Sequence, residues 1–575
     1  MRAALIIQNW YRGYKARLKA RQHYALTIFQ SIEYADEQGQ MQLSTFFSFM
    51  LENYTHIHKE ELELRNQSLE SEQDMRDRWD YVDSIDVPDS YNGPRLQFPL
   101  TCTDIDLLLE AFKEQQILHA HYVLEVLFET KKVLKQMPNF THIQTSPSKE
   151  VTICGDLHGK LDDLFLIFYK NGLPSERNPY VFNGDFVDRG KNSIEILMIL
   201  CVSFLVYPND LHLNRGNHED FMMNLRYGFT KEILHKYKLH GKRILQILEE
   251  FYAWLPIGTI VDNEILVIHG GISETTDLNL LHRVERNKMK SVLIPPTETN
   301  RDHDTDSKHN KVGVTFNAHG RIKTNGSPTE HLTKHEWEQV VTIFSASNYY
   351  EEGSNRGAYI KLCSGTTPRF FQYQVTKATC FQPLRQRVDT MENSAIKILR
   401  ERVISRKSDL TRAFQLQDHR KSGKLSVSQW AFCMENILGL NLPWRSLSSN
   451  LVNIDQNGNV EYMSSFQNIR IEKPVQEAHS TLVETLYRYR SDLEIIFNAI
   501  DTDHSGLISM EEFRAMWKLF SSHYNVHIDD SQVNKLANIM DLNKDGSIDF
   551  NEFLKAFYVV HRYEDLMKPD VPNLG

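Results

Sequence analysis

The stretch Val181–Gly190, VFNGDFVDRG, constrains this chain more than any other. An apolar pair runs into a small turn, then two acids, Asp185 and Asp188, and then Arg189. A buried strand that ends in carboxylates and an arginine is a place to hold metal ions and phosphate. Two further strand-to-turn stretches end the same way: VTICGDLHG at Val151–Gly159 and LHLNRGNHE at Leu211–Glu219. Ile265–Ile268 runs into His269, in IHGGIS. Such strands alternate with helical segments from Val151 to Tyr373, the pattern of an α/β domain. Val340–Ala346 is expected as a further buried strand. Open α/β sheets gather ligands at the C-terminal ends of their strands, so Asp156, His158, Asp185, Asn217, His218 and His269 are expected to meet. A set of Asp, His and Asn without thiolate favours manganese, iron or zinc. Two ions about 3.5–4 Å apart, bridged by one carboxylate, suit hydrolysis of a phosphate ester.

The motifs GDxHG, GDxxDRG and GNHE stand in order, with HGG after them. In this the chain resembles the phosphoprotein phosphatase family of serine/threonine phosphatases. The resemblance implies an α/β metallophosphoesterase fold, a mixed β-sandwich with flanking helices. It implies that Asp156, His158 and Asp185 hold a first ion, and that Asp185, Asn217 and His269 hold a second, with Asp185 bridging. His218 would protonate the leaving alkoxide, and Asp188 would orient it. Arg189 would clamp phosphate oxygens, and Tyr349 stands at the position of a family active-site tyrosine. Attack would come directly from di-metal-activated hydroxide, without a phosphoenzyme.

One departure matters. The family pattern places a Leu-Trp-Ser-Asp-Pro block, a second phosphate-binding arginine and an Arg-x-His metal ligand before the SASNYY strand. Here HLTKHEWEQ runs straight into VVTIFSASNYY. No Gly, Pro or Asn separates a helix-like Thr333–Gln339 from a strand-like Val340–Ala346, where a helix needs a terminating turn. The junction between Gln339 and Val340 reads as a deletion, such as alternative splicing produces, and the second ion is short of one ligand. Of the histidines nearby, His319 in NAHGRIK is the best placed to substitute, but a solvated loop histidine is the simpler account.

After about Arg385 the chain reads as helical. An EF-hand loop needs oxygen ligands at positions 1, 3, 5, 7, 9 and 12, with Gly at 6. Asp501, Asp503, Ser505, Leu507 (carbonyl), Ser509 and Glu512 meet this with Gly506. Asp541, Asn543, Asp545, Ser547 (carbonyl), Asp549 and Glu552 meet it with Gly546. Ile508 and Ile548 fall where paired loops share a short strand contact. Calcium is the expected ion, with magnesium a competitor. Two degenerate copies precede: Asp418–Gln429, with Arg420 and Gln429 at acidic positions, and Asn453–Ser464, where Ser464 replaces the last acid. These read as EF-hands that pair without binding calcium well.

At the other end, Ala3–Tyr24 reads as a basic amphipathic helix. Ile7, Gln8, Arg12, Gly13 and Arg17 fit I-Q-x-x-x-R-G-x-x-x-R, and Ile7, Tyr11, Tyr14 and Leu18 share one face. Such a helix fits the groove of an acidic partner such as calmodulin, or the chain's own EF-hands.

The order of IQ helix, phosphatase core and all-α EF-hand region resembles the serine/threonine phosphatases with EF-hands, the retinal-degeneration-C type. That implies a calcium-responsive phosphatase of phosphoproteins, typical of sensory neurons. The alternative is a catalytically impaired calcium- and calmodulin-binding protein. The expected domains are the IQ helix (1–30), a polar helical region (31–100), the catalytic domain (101–385, with a polar insertion at 295–335), a linker helix with the degenerate EF-hands (386–475), the working EF-hand pair (476–565) and a tail (566–575). Composition adds exclusions. The net charge of -10 argues against nucleic acid. Six scattered cysteines without a CxxC pair fit reduced thiols in a cytoplasmic, intracellular protein. No apolar run reaches the roughly 20 residues of a membrane span.

Overall fold

The computed structural model describes residues 2–38, 81–270 apart from 83, 276–289, 341–375, 384–471 apart from 468, and short pieces between 484 and 561. It divides into two compact units, one of residues 1–54 and 382–575 and the other of residues 55–381. The polar insertion, the junction itself and His319 lie outside the described residues.

The chain opens with α1 (Arg2–Gln38), which belongs to the first unit. The second unit follows. Its α2 (Cys102–Lys113) starts at a capping box made by Thr101 and Asp104. Leu108 and Phe112 of α2, with Val123 and Leu127 of α3 (Ala120–Leu134), enter the main core.

Among the described residues, eight strands build the catalytic unit: β1 (Phe140–Ile143), β2 (Val151–Cys154), β3 (Tyr180–Phe182), β4 (Leu211–Leu213), β5 (Gly258–Val261), β6 (Ile265–Ile268), β7 (Gly357–Leu362) and β8 (Arg369–Tyr373). Every residue of β2, β3 and β4 is buried, because these parallel strands are covered on both faces. Helices α4 (Leu161–Asn171) and α5 (Ser193–Val206) connect them. The almost wholly apolar α5, SIEILMILCVSFLV, is buried nearly all round. The five-stranded sheet runs β4-β3-β2-β7-β8, with β7 antiparallel to β2. A second sheet runs β1-β5-β6. Val151, Ile153, Val181 and Ile360 of the first sheet pack with Val261 and Val267 of the second, closing a mixed β-sandwich with flanking helices.

The expected strand at Val340–Ala346 needs correction. Residues 341–346 form no strand, only one parallel bridge from Phe344 to Asp156. Val341 is 54% exposed, so the apolar run is not buried throughout. Ser345 still donates its backbone N–H to the Asp156 carbonyl, and Phe344 accepts from the Ala358 N–H, so the segment is wedged at the sheet end. The pairing beside β2 is made instead by β7.

In the first unit, α1 packs along α7 (Leu384–Ile404). Leu18, Ala25, Ile28, Phe29 and Ile32 form its buried face. Arg21 pairs with Asp389 and Glu392 of α7, and Arg402 donates to Asp36 at 2.6 Å. The helix continues past residue 30 to Gln38. In the degenerate EF-hands, β9 (Lys424–Ser426) runs antiparallel to β10 (Asn459–Glu461), pairing Leu425 with Val460. In the C-terminal EF-hands, β11 (Leu507–Ser509) pairs with β12 (Ser547–Asp549), with Ile508 opposite a fully buried Ile548, as the loop registers predict. Asp501, Asp503, Ser505, Asp541, Asn543, Asp545 and Glu552 lie outside the described residues.

Candidate active site

The ends of β2, β3, β4 and β6 bring six of the expected residues together. His158, Asp185 and His218 place ligand atoms within 4.8 Å of one another, and so do Asp156, Asp185 and His269. Asp185 is common to both groups. Its Oδ2 lies 3.7 Å from His158 Nε2 and 3.3 Å from His269 Nε2. Asp156 reaches both sides, with Oδ2 at 4.0 Å from His158 Nε2 and Oδ1 at 3.9 Å from His269 Nδ1. Asn217 Oδ1 stands 2.9 Å from His269 Nε2.

The two outer imidazoles are held alike. His158 Nδ1 bonds to the Val187 carbonyl at 3.0 Å, and His269 Nδ1 to the Asn183 carbonyl at 2.7 Å. A carbonyl only accepts, so each Nδ1 carries the hydrogen and each Nε2 faces the carboxylates. Burial lowers His158 to about 3, which keeps it neutral and fit to ligate. Burial alone would lower His269 too, but the Asp185 carboxylate outweighs it and raises the group to about 10. Burial opposes ionisation of Asp185, yet the imidazoles of His269, His218 and His158 hold it below the carboxylate range.

The backbone is bent to make this approach. His158, Asp185, Asp188 and Arg189 have φ of 43°, 55°, 71° and 65°, the left-handed region that L-residues enter at a cost. Gly216 allows a close pass between the loops, since a Cβ there would stand 2.3 Å from Asp185 Oδ1.

His218 Nδ1 lies 2.7 Å from Asp188 Oδ2, leaving Nε2 toward the cluster. Asp188 also accepts from Asn224 Nδ2 at 2.9 Å and from the Phe229 N–H at 3.0 Å. Burial pushes the Asp188 carboxyl up to about 7. The Arg189 guanidinium lies 4.4 Å from the Tyr227 ring centre and 5.3 Å from that of Tyr349. Tyr349 also meets the His158 ring at 5.4 Å. Its loop is fixed by Ser347, whose N–H and Oγ donate to the buried Asp163 at 2.8 and 2.6 Å.

Sequence reasoning gave no role to Glu219, Asn224 or Tyr227. Glu219 accepts the backbone N–H groups of Asp185, Phe186 and Gly216 at 2.8, 2.9 and 2.8 Å, tying the β3 loop to the β4 loop. Its place in GNHE was a signal. Asn224 and Tyr227 sit on the short helix α6 (Phe221–Tyr227) and belong to none of the motifs.

The cluster fits divalent ions. It offers carboxylate, imidazole and amide donors around one shared carboxylate, with both outer imidazoles held through Nδ1 so that Nε2 is the atom available to a metal.

On α1, Gln8, Arg12 and Arg17 are exposed and Gly13 is half-buried. Trp10 and Tyr11 are exposed, at 63% and 49%, while Leu18 turns into the unit. The side chain of Ile7 lies outside the described residues. No helix among the described residues is long and apolar enough to cross a membrane. The five described cysteines are free thiols.

Comparison with known proteins agrees with this layout. The calcineurin-like phosphoesterase family matches residues 149–340, the EF-hand domain pair residues 490–558 and the IQ calmodulin-binding motif residues 1–21. The PPP5 TPR repeat region matches residues 37–142. Serine/threonine-protein phosphatase with EF-hands 1 of Homo sapiens is 90% identical over 637 residues, covering 100% of this chain and 98% of the relative. Serine/threonine-protein phosphatase with EF-hands 2 of Homo sapiens is 40% identical, covering 98% and 94%. Serine/threonine-protein phosphatase rdgC of Drosophila melanogaster is 37% identical, covering 98% and 91%. Fold and site define a metal-dependent protein phosphatase. The chain belongs to the serine/threonine-protein phosphatases with EF-hands. The match to the 90% identical relative runs over 637 positions against 575 residues here, so at least 62 of its positions have no counterpart in this chain.

Proposed function

We propose that this phosphatase hydrolyses phosphoserine and phosphothreonine in phosphoproteins at the Asp185 cluster, and that calcium and calmodulin adjust the reaction from the first unit. The observation that carries the site assignment is the convergence of His158, His269 and Asp156 on one buried carboxylate. Asp156, His158 and Asp185 would hold one ion, and Asp185, Asn217 and His269 the other, with manganese the favoured metal. When bound, the ions supply Lewis-acid charge and lower the pKa of water. The protein's own groups do the rest. Arg189, braced between Tyr227 and Tyr349, binds phosphate oxygens with its planar fork. His218 delivers a proton from Nε2 to the leaving alkoxide, while Asp188 fixes its ring. The C-terminal EF-hands take calcium through Asp501–Glu512 and Asp541–Glu552, and α1 offers Ile7, Gln8, Arg12, Gly13 and Arg17 to calmodulin.

A second reading rests on these unmatched positions, at least 62 in number. If they fall between Gln339 and Val340, as from alternative splicing, the second ion lacks one ligand and Arg189 lacks a second arginine to share the phosphate. The chain then binds manganese and calcium but turns over slowly. Hydrolysis of a phosphothreonine peptide with manganese, with Asp185→Asn as control, separates the readings. Ordinary phosphatase rates lost in Asp185→Asn support the first reading. Manganese bound without turnover supports the second, and no manganese bound sinks both.

A further inference from the structure

His269 and Asp185 follow strands of different sheets, β6 and β3, so the fold must set their separation by a contact between sheets. Beside the apolar contacts between those sheets, the described residues form a buried polar seam. At its centre is Asn214, fully buried, one residue after β4. Its N–H donates to the Phe182 carbonyl at 2.9 Å. Its side-chain Nδ2 donates to Asn183 Oδ1 at 2.8 Å and to the Val267 carbonyl at 3.2 Å. Its Oδ1 accepts from Thr259 Oγ1 at 2.8 Å.

Hydrogen counting fixes the direction of the whole seam. Thr259 spends its one hydroxyl hydrogen on Asn214, so Thr141 Oγ1, 2.9 Å away, donates to Thr259. Thr141 has then spent its own hydrogen, so His212 Nδ1, at 3.0 Å, donates to Thr141. The Val267 carbonyl can only accept, so the amide atom facing it and Asn183 is Nδ2, which leaves Oδ1 toward Thr259 and sets the start of the chain. Asn183 lies two residues before Asp185, and its carbonyl takes the Nδ1–H of His269 at 2.7 Å. Val267 lies two residues before His269. One amide thus holds both strands at equal sequence distance from the two metal-facing residues.

We propose that Asn214 is a positioning residue for the second ion: it fixes the spacing of His269 from Asp185 by bridging Asn183 on one sheet to Val267 and Thr259 on the other. A packing role alone would be met by an apolar side chain of similar size. A positioning role needs the amide. The inference rests on the two-ion reading of the site.

The test uses the full chain, manganese alone as probe, and Asn214→Leu and Thr259→Val as variants. Bound manganese is counted by titration, and the pair is read by electron paramagnetic resonance, where two ions sharing a carboxylate give a spin-coupled spectrum. The wild-type chain binds two ions with that spectrum. Folded Asn214→Leu keeps the first ion, binds the second about tenfold or more weakly, and loses the coupled spectrum, the range that partners of metal ligands show. Thr259→Val, which removes one hydroxyl hydrogen and keeps the shape, weakens the second ion several-fold, and decides the matter alone if Asn214→Leu unfolds. Unchanged second-ion affinity and spectrum in the folded variants overturn the inference while the two-ion reading stands. A wild-type chain that binds one manganese ion overturns that reading, and the inference with it.

Discussion

His269 Nε2 lies 3.3 Å from Asp185 Oδ2, and the two side chains are 6% and 1% exposed. The pair decides how the site meets a metal ion. Burial would lower the imidazole, but the carboxylate beside it holds the group at about 10, so the metal-free ring is protonated at neutral pH. An ion at Nε2 needs the lone pair that this proton occupies. Binding at the second position therefore releases a proton. Its apparent affinity rises about tenfold per pH unit between about pH 7 and about pH 9. Calorimetric titration with manganese in buffers of different ionisation enthalpy measures both quantities. Affinity independent of pH with no proton release would show that His269 does not ligate.

Asp188→Asn isolates the role of His218. Asp188 accepts three hydrogen bonds, from His218, Asn224 and the Phe229 N–H. An amide in its place must turn a donor toward one of these donors, so the imidazole loses its fixed orientation. The expected result is a kcat about 10²–10³-fold lower, with KM within a few-fold and manganese binding unchanged. A fall in kcat/KM that comes wholly from KM would assign Asp188 to substrate binding instead.

The three ligand loops were legible because buried parallel strands show as short, mainly apolar runs, and each run here leads into its ligands. β3 is the clearest case, with Tyr180–Phe182 wholly buried and Asp185 three residues on. The supports of the site were not legible, because their roles come from tertiary placement. Asn224 and Tyr227 act through α6, where nothing in local sequence marks them. Asn214 sits in a strand-end position that sequence treats as spacer. Val340–Ala346 misled for the opposite reason: its apolar run has the composition of a strand, but the described part pairs only at Phe344. The EF-hand register was readable to the residue, as Ile508 opposite Ile548 shows, because a twelve-residue loop with a fixed glycine leaves one alignment.

Gly216→Ala tests whether the close pass between loops is required. The new Cβ would lie 2.3 Å from Asp185 Oδ1 and 2.6 Å from Glu219 Oε2, so one loop must withdraw. The expected cost is about 1–3 kcal/mol of stability for forcing atoms into a packed site, together with weaker binding of manganese. Thermal unfolding and manganese titration of the same preparation check this. Wild-type values in both would mean that the loops stand farther apart in solution.

The helix α1 divides its labour along its length, and its two halves respond differently to substitution. From Leu18 onward its apolar face is buried on α7, with Ile28 2% exposed and Phe29 6%. Ile28→Ala removes buried methyl and methylene groups and costs about 2–4 kcal/mol. Arg21→Ala removes ion pairs with Asp389 and Glu392 that are one-quarter to two-fifths exposed, so solvent screening limits the loss to about 1 kcal/mol or less. Neither change alters Arg12 and Arg17, which are exposed. Replacing both by alanine removes two charges that an acidic groove would meet. It is expected to weaken calmodulin binding about tenfold or more and to flatten its dependence on salt, with the melting temperature little changed. Ile28→Ala is expected to do the reverse, lowering the melting temperature while calmodulin affinity stays within about twofold. Fluorescence titration with calmodulin and thermal unfolding of the four proteins, wild type included, make the comparison. A loss of calmodulin affinity in Ile28→Ala equal to that in the double arginine variant would show that the two halves act as one surface.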